Sequence, residues 1–457
     1  VVACVLVSDS SGNLFQGNYF GTERTGLSWQ EEGVGLIATG SNNNTIGGTL
    51  TVSRNILTTV AFSLTSRVSE DNLIQGNYIG LGADGSTSLG FAGTLHSGDG
   101  VRVTSSERVV IGGSVPGAGN VISGQTGSGV SVSNGSGHLI LGNLIGTDAS
   151  GLKAVGNEKA GVRLAADQSR IGEDGGGGNV IVSSGDDGVF VNGDGNTVAA
   201  NSIGIAEDGR TPIGNAGAGI DVYGNGNRVG GEGADLGNVI AYSGAAGISL
   251  TTFINENNRF LGNSIFSNEG LGIDLIQYED RKTTPSITGV METIQGSVTG
   301  APDTEVLLQF FSNTACDPTG FGEGETYLGS ITVATDATGN VGFSAPFAPL
   351  SGQPFITATA TPVGGNTSEF SNCIERPQDS VEILSISPDA AGGFPTLTSG
   401  GSIAFSSISV GYELTSDNSG TLFVRVFADN NIDSVLGEVS QPVTSAGSLV
   451  QFNSLVA

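Results

Sequence analysis

Short aliphatic runs, each closed by glycine or asparagine, succeed one another from residue 10 to residue 276. Within them Val, Ile and Leu alternate with smaller or polar residues, as in Gly129-Val-Ser-Val132 and Gly161-Val-Arg-Leu164. Alternation of this kind is the signature of a strand with one face in a core and the other in water. No stretch places apolar residues at i, i+3, i+4 and i+7, so helices are not expected.

The runs also repeat. The phrase Asn13-Leu-Phe-Gln-Gly-Asn18-Tyr-Phe-Gly21 returns around Asn77, Asn143, Asn201 and Asn263, with central asparagines 59, 66, 58 and 62 residues apart. A second phrase, Gly-Asn-Val-Ile, contains Asn120, Asn179 and Asn238 at a spacing of 59. A third, Gly followed by Val or Ile, falls every 25 to 32 residues between Gly129 and Gly272. A unit of about 60 residues therefore holds two coils, each with two or three short strands. A lone coil has no face against which to bury its Val and Ile. Stacking supplies each strand with a parallel neighbour and builds a continuous aliphatic column. Asparagines at coil corners, Asn18, Asn77, Asn120, Asn143, Asn179, Asn201, Asn238 and Asn263, are expected to stack as hydrogen-bonded ladders. Glycines take the positive-φ corner positions. The longer insert of each unit, residues 147–157 for example, is expected to bulge as a loop from one face.

Composition narrows the setting. The 457 residues include 76 Gly and carry a net charge of 16 − 44 = −28. Nucleic acid and anionic membrane surfaces call for a basic footprint, which this chain lacks. The charge suits a soluble secreted surface, or one that gathers divalent cations. No apolar run approaches the roughly 20 residues of a membrane span. The chain opens at Val1 rather than Met, which reads as a processed or omitted N-terminus. Of the three cysteines, Cys316 and Cys373 fall within one later module and read as a disulfide, which favours export. Cys4 lies in an apolar setting and reads as a small hydrophobe.

The repeats stop near Leu275, and a polar linker, residues 278–285, follows. Residues 286–376 alternate like sandwich strands, and residues 380–457 do so again with five or six strands, where a complete sandwich has about seven. The last module therefore reads as cut short, or as completed by a strand from elsewhere. The expected division is an N-terminal apolar strand at 1–10, a β-helix at 11–280, a first module at 286–376 and a second at 380–457.

The phrases Gly142-Asn-Leu-Ile-Gly-Thr-Asp148 and Gly-Asn-Val-Ile resemble large bacterial secreted proteins built on pectate-lyase-like right-handed β-helix repeats. The resemblance covers residues 10–276. Many relatives open with a segment named for a Cys-Ser-Leu-Arg-Glu-Ala motif, which does not occur here. Residues 316–324 and 366–373 resemble the immunoglobulin-like module that often follows such helices, and this resemblance implies that Cys316 pairs with Cys373. The implied fold is all-β: a right-handed parallel β-helix followed by two immunoglobulin-like β-sandwich modules.

Parallel β-helices also host polysaccharide lyases and hydrolases, and a hydrolase needs carboxylates converging on one face. Asp221 and Asp274 hold similar strand positions 53 residues apart and form the candidate pair, although two solvated strand carboxylates are the simpler reading. Asp186, Asp187 and Asp194 form an acidic patch that suits structural calcium, a solvated turn again being simpler. No other cofactor is expected. His96 and His138 lie far apart, with no nucleophile motif near them, and His138 stands where sibling repeats carry Asn.

Repetition argues against a single site and draws attention to the ends, where unpaired backbone must be capped or joined. The apolar N-terminal strand with Val1, Val2, Val5, Leu6 and Val7 is the expected assembly strand. The leading expectation is a non-catalytic extracellular structural subunit, joined head to tail to copies of itself by strand addition. The alternatives are a polysaccharide-binding surface adhesin and a polysaccharide lyase or glycoside hydrolase.

Overall fold

The structure, a computed structural model, describes residues 3–29, 34–62, 68–89, 98–233, 235–251, 256–275, 283–290 and 293–376, together with the backbone strands of 380–456. Val1, Val2 and His96 lie outside the described residues, as does the side chain of Cys4. Three parallel sheets run through the repeat region. The first has ten strands, from Ala3–Ser8 to Ile273–Asp274. The second has nine, from Leu14–Phe15 to Arg259–Leu261, and the third has nine, from Tyr19–Phe20 to Ser264–Phe266. The chain visits the sheets in turn, one strand per coil in each, which is a parallel β-helix. No α-helix occurs among the described residues.

Register follows from the buried alternation. In the first sheet Leu36, Val60, Val101, Val130, Val162, Val189, Ile220, Ile248 and Ile273 stand rung on rung. Ile46, Ile74, Ile111, Ile140, Ile171, Val198, Val229 and Phe260 do the same in the second. In the third the column runs from Phe20 through Leu57, Ile79, Ile122, Ile145, Ile181, Ile203 and Ile240 to Ile265. All belong to one buried cluster. A one-residue slip would turn each column into water, so the pattern fixes the register.

The corners are held by amides. Between the second and third sheets Asn18, Asn55, Asn77, Asn120, Asn143, Asn179, Asn201, Asn238 and Asn263 form a continuous ladder. From Asn55 onward each Oδ1 accepts the backbone N–H of the preceding asparagine at 2.9–3.2 Å and its side-chain N–H at 2.9–3.1 Å. The Nδ2 of Asn179 also donates to the Ile140 carbonyl at 2.8 Å, and its siblings do likewise. The two sequence phrases thus supply alternate rungs of one ladder, and Asn55, set in Arg54-Asn-Ile-Leu57, is a rung that neither phrase identified. Gly112 approaches this ladder so closely, at φ 89°, that a Cβ would run into the Leu141 carbonyl and the Asn143 amide.

A second ladder lies between the first and second sheets. It runs Asn13, Asn44 and Asn72, is interrupted at Val109, and resumes through His138, Ser169, Asn196, Asn227 and Asn258. His138 is an ordinary rung: its Nδ1 accepts the Val109 N–H at 3.3 Å and its own N–H donates to Ser169 Oγ at 3.0 Å. Burial holds this imidazole below the usual histidine range.

One expectation needs correction. The apolar segment at 1–10 is not separate from the β-helix. Strand Ala3–Ser8 pairs in parallel with Val34–Thr39, with Val5 opposite Leu36 and Val7 opposite Ala38, so Val5 and Val7 face inward while Leu6 is exposed. The insert at 147–157 bulges as a loop in the form of a hairpin, closed by Thr147 and Ala154, and it stacks on the hairpin below through Ala149 N–H to the Gly85 carbonyl at 2.7 Å. The equivalent hairpins at 22–29, 81–88 and 205–212 stack in the same way, giving a fin with one blade every second coil.

The C-terminal end of the coil stack is closed by the first sandwich. Strands Thr326–Ala334, Glu305–Asn313, Phe355–Pro362 and Ile374–Glu375 form its four-stranded sheet. Strands Thr284–Val290, Ile294–Thr299 and Asn340–Ala345 form the other, so strand structure begins inside the segment read as a linker. The sandwich presents side chains where a further coil would stand. Asn366 Oδ1 accepts the Asn258 N–H at 2.8 Å and so adds a rung to the second ladder. Glu323 Oε1 accepts both the backbone and side-chain N–H of Asn268, at 3.0 and 2.9 Å, and Gln309 Oε1 accepts the Gly262 N–H at 3.1 Å. Ile265 and Gly324 exchange backbone hydrogen bonds of 2.8 and 2.9 Å. Phe311 and Phe370, edge to face at 5.3 Å, finish the aliphatic column. The Cys316–Cys373 disulfide, with Cα atoms 5.8 Å apart, ties the loop carrying Glu323 to the segment carrying Asn366 and Phe370. Closing a loop of this length stabilises by about 4 kcal/mol in the chain-entropy picture. The second module, by itself, has a three-stranded antiparallel sheet (Ser380–Ser387, Ala404–Glu413, Leu449–Val456) and a pair, Gly420–Ala428 with Asn431–Val443.

Two outcomes are expected. Replacing Asn179 by alanine leaves the buried Asn143 N–H without its acceptor, at a cost of about 1–3 kcal/mol, and removes the side-chain bonds to Asn143 Nδ2, the Ile140 carbonyl and Asn201 Oδ1, so it should lower the chemical-unfolding midpoint. His138→Asn, which restores the common rung, should leave the midpoint unchanged or raise it. Equal midpoints for Asn179→Ala and wild type would contradict the ladder. Second, Glu323→Ala combined with Asn366→Ala should uncover the last coil and give concentration-dependent self-association in sedimentation velocity, where the wild type shows none of that origin.

Candidate functional site

In the first sheet, residues between the buried positions point outward, and rung-on-rung register lines them up. One outward column reads Arg102, Ser131, Arg163, Phe190, Asp221, Ser249, Asp274. Neighbours in the column are about 4.8 Å apart, although they are 25 to 32 residues apart in the chain. The column passes from basic through aromatic to acidic.

A groove of about 720 Å³ lies over its middle, lined by Arg102, Ser131, Arg163, Phe190 and Asp221 from the column, with Asp99, Lys159, Asp186, Asp187 and Tyr223 along its sides. Phe190 and Tyr223 pack in a tilted contact, with ring centres 5.2 Å apart and planes at 40°. The Arg163 guanidinium stands 5.4 Å from the Phe190 ring centre, within cation–π range. Asp187 is set in the turn before strand Val189–Val191, and its Oδ1 accepts the Ala218 N–H of the next coil at 2.9 Å. Burial, with the charges of Asp221 and Asp186 adding, pushes the Asp187 carboxyl up to about 6 against that hydrogen bond. Asp221 is 9 % exposed, and burial raises its carboxyl too, although the Thr251 hydroxyl donates to its Oδ1 at 3.0 Å. Carboxyls raised by burial in a groove are candidates for a functional role.

Asp221 and Asp274 do share a column, but Ser249 stands between them. Two rungs separate their backbones by about 10 Å, at or beyond the upper limit for an inverting pair and far outside a retaining one. Asp221 instead interacts with Asp186 and Asp187 of the coil before it. The patch expected at Asp186, Asp187 and Asp194 is divided. Asp194 Oδ1 accepts the Asn225 N–H at 2.8 Å, and Asp194 N–H donates to Asp167 Oδ1 at 2.8 Å, so Asp194 is a rung in a turn ladder beyond the strand. Among the described residues no group of three or more His, Cys, Asp or Glu is placed to hold a metal. Among those residues, too, no helix is long and apolar enough to cross a membrane.

Phe190, Tyr223, Arg163 and Lys159 were missed as groove residues by sequence reasoning. The signal was present: in Gly161-Val-Arg, Gly188-Val-Phe and Gly219-Ile-Asp the third residue is the outward one of successive coils. A second crevice, of about 510 Å³, lies between the last coil and the sandwich; its lining is mainly Gly, Thr and Pro, and it brings Glu256 near no second ionisable group of the lining. No protein-family profile and no curated protein matches the chain.

The raised Asp187 carboxyl has a consequence for stability. The folded state holds its proton between about pH 4 and pH 6, where the unfolded chain has released it, so this group lowers stability as pH rises through that window. Asp187→Asn keeps the acceptor for Ala218. It should therefore melt above wild type at pH 7 to 8, with the gap closing towards pH 4 in a melting series. A gap independent of pH would contradict the assignment.

Proposed function

We propose that this chain is a secreted, polysaccharide-binding β-helix protein, and that the groove on the first sheet is its glycan site. The observation that carries the reading is the Phe190–Tyr223 pair, set in an elongated groove between charged side chains. Such rings offer a flat apolar face to the C–H face of a sugar, and carboxylates and guanidinium groups accept from or donate to its hydroxyls. A groove that crosses stacked rungs suits a long ligand. Export is supported by the disulfide and by the resemblance of the repeats to bacterial secreted β-helix proteins.

Coil-on-coil joining at the C-terminal end is not supported, because Glu323, Gln309 and Asn366 of the same chain occupy that position. Strand addition through the second module would leave the groove in place. A second reading, glycoside hydrolysis, is favoured by one observation: Asp187 holds a proton up to about pH 6 beside Asp221, as an acid–base pair requires.

One set of assays separates these. On a panel of soluble polysaccharides the wild type should bind at least one, and Phe190→Ala or Tyr223→Ala should weaken it by about ten-fold, with the melting temperature little changed. Binding to nothing, or binding indifferent to both aromatic changes, would remove the glycan reading. Release of reducing ends that Asp187→Asn abolishes without loss of binding would move the assignment to the hydrolase.

A further inference from the structure

Charges in the groove are graded: three carboxylates gather towards Asp221, and three cations stand before Phe190 together with Asp99. Lys159 and Arg163 belong to the coil before Phe190, Asp187 belongs to the coil of Phe190, and Asp221 belongs to the coil of Tyr223. Among the described residues no salt bridge joins Lys159 or Arg163 to a carboxylate, nor Asp187 or Asp221 to a cation. Both signs thus line one groove, along an aromatic pair, without an ion pair between them among the described residues. Lys159 is exposed and Arg163 lies over the Phe190 ring, while Asp187 and Asp221 accept hydrogen bonds from Ala218 and Thr251; each sign keeps capacity for a ligand group in the same open space.

Resting on the polysaccharide-binding reading, we propose that the groove selects a zwitterionic polysaccharide, with an acidic sugar over Lys159 and Arg163 and an amine-bearing sugar over Asp187 and Asp221. Arg163 and Asp221 are two rungs apart, about 10 Å, the reach of one disaccharide lying along the column with a ring on Phe190 and Tyr223. A neutral glycan would leave both ends unmatched. A purely acidic one would meet Asp187 and Asp221 and the repulsion of a chain with net charge −28. A polycation would meet Lys159 and Arg163. A peptide bearing both signs could match the charges, but it lacks the flat C–H face that the aromatic floor fits.

The test is a titration of the full chain with three oligosaccharides of one backbone. They are de-N-acetylated hyaluronan, which alternates glucuronate with free-amine glucosamine, its N-acetylated parent, and its carboxyl-reduced form. The zwitterionic form should bind about ten-fold more tightly than either of the others, as expected when one further charge-assisted hydrogen bond forms. Arg163→Ala should erase the advantage over the carboxyl-reduced form, and Asp221→Asn the advantage over the N-acetylated form. Equal affinity for all three would overturn the charge assignment and leave glycan binding standing. Absence of binding to all three, with another polysaccharide of the panel bound, would do the same. Equal competition by a peptide of alternating Glu and Lys would overturn it in favour of a protein partner.

Discussion

A coil of this chain has no stable form without a neighbour. Its aliphatic ring is too small to bury itself, and its corners carry backbone N–H groups that point along the stack rather than within the coil. The asparagine amide resolves both difficulties. It accepts from the coil before it and donates back into the stack, as Asn143, Asn179 and Asn201 do in succession. Each coil is thereby locked one rung above the last, and the Val and Ile of every strand fall on the same column. Loss of that spacing would cost hydrogen bonds and packing together.

The same dependence makes the ends of the stack special. A last coil without a successor leaves Asn258, Gly262 and Asn268 with donors facing outward. The chain answers with a different fold that carries the same chemistry: Asn366, Gln309 and Glu323 from the sandwich accept those donors, and Phe311 and Phe370 stand in for the next ring of aliphatic side chains. Glu323 shows the compromise. Burial raises its carboxyl, while Asn268 and Ser267 donate to it and oppose the rise. A sandwich cannot continue the coils, but it can satisfy them.

Much of this was legible in the sequence. The alternation and the spacing near 60 fix the β-helix, the two coils per unit and most of the main ladder, because both depend on residue type at a repeating position. The cap was not legible, since Glu323 and Asn366 act through a contact between segments that share no pattern with the repeats. Site residues were legible in part. Asp221 could be singled out by its position after Gly219-Ile220, but its partner could not, because coil length varies and Asp187 lies in a turn outside the strand phase. Asp194 failed as its companion because it sits beyond the end of strand Val189–Val191, where it joins a turn ladder.

Strict register also creates the functional face. Residues chosen independently in successive coils are brought to one line about 4.8 Å apart, and Arg163, Phe190 and Asp221 become a surface that no single coil could form. The account rests on that line being where ligand lies. A crystal structure of the protein soaked with a charged hexasaccharide tests it most directly. The account predicts density along the first sheet, with a sugar ring against Phe190 and Tyr223 and the chain running parallel to the stack. Density on the hairpin fin or in the crevice beside the sandwich, with the groove empty, would contradict it.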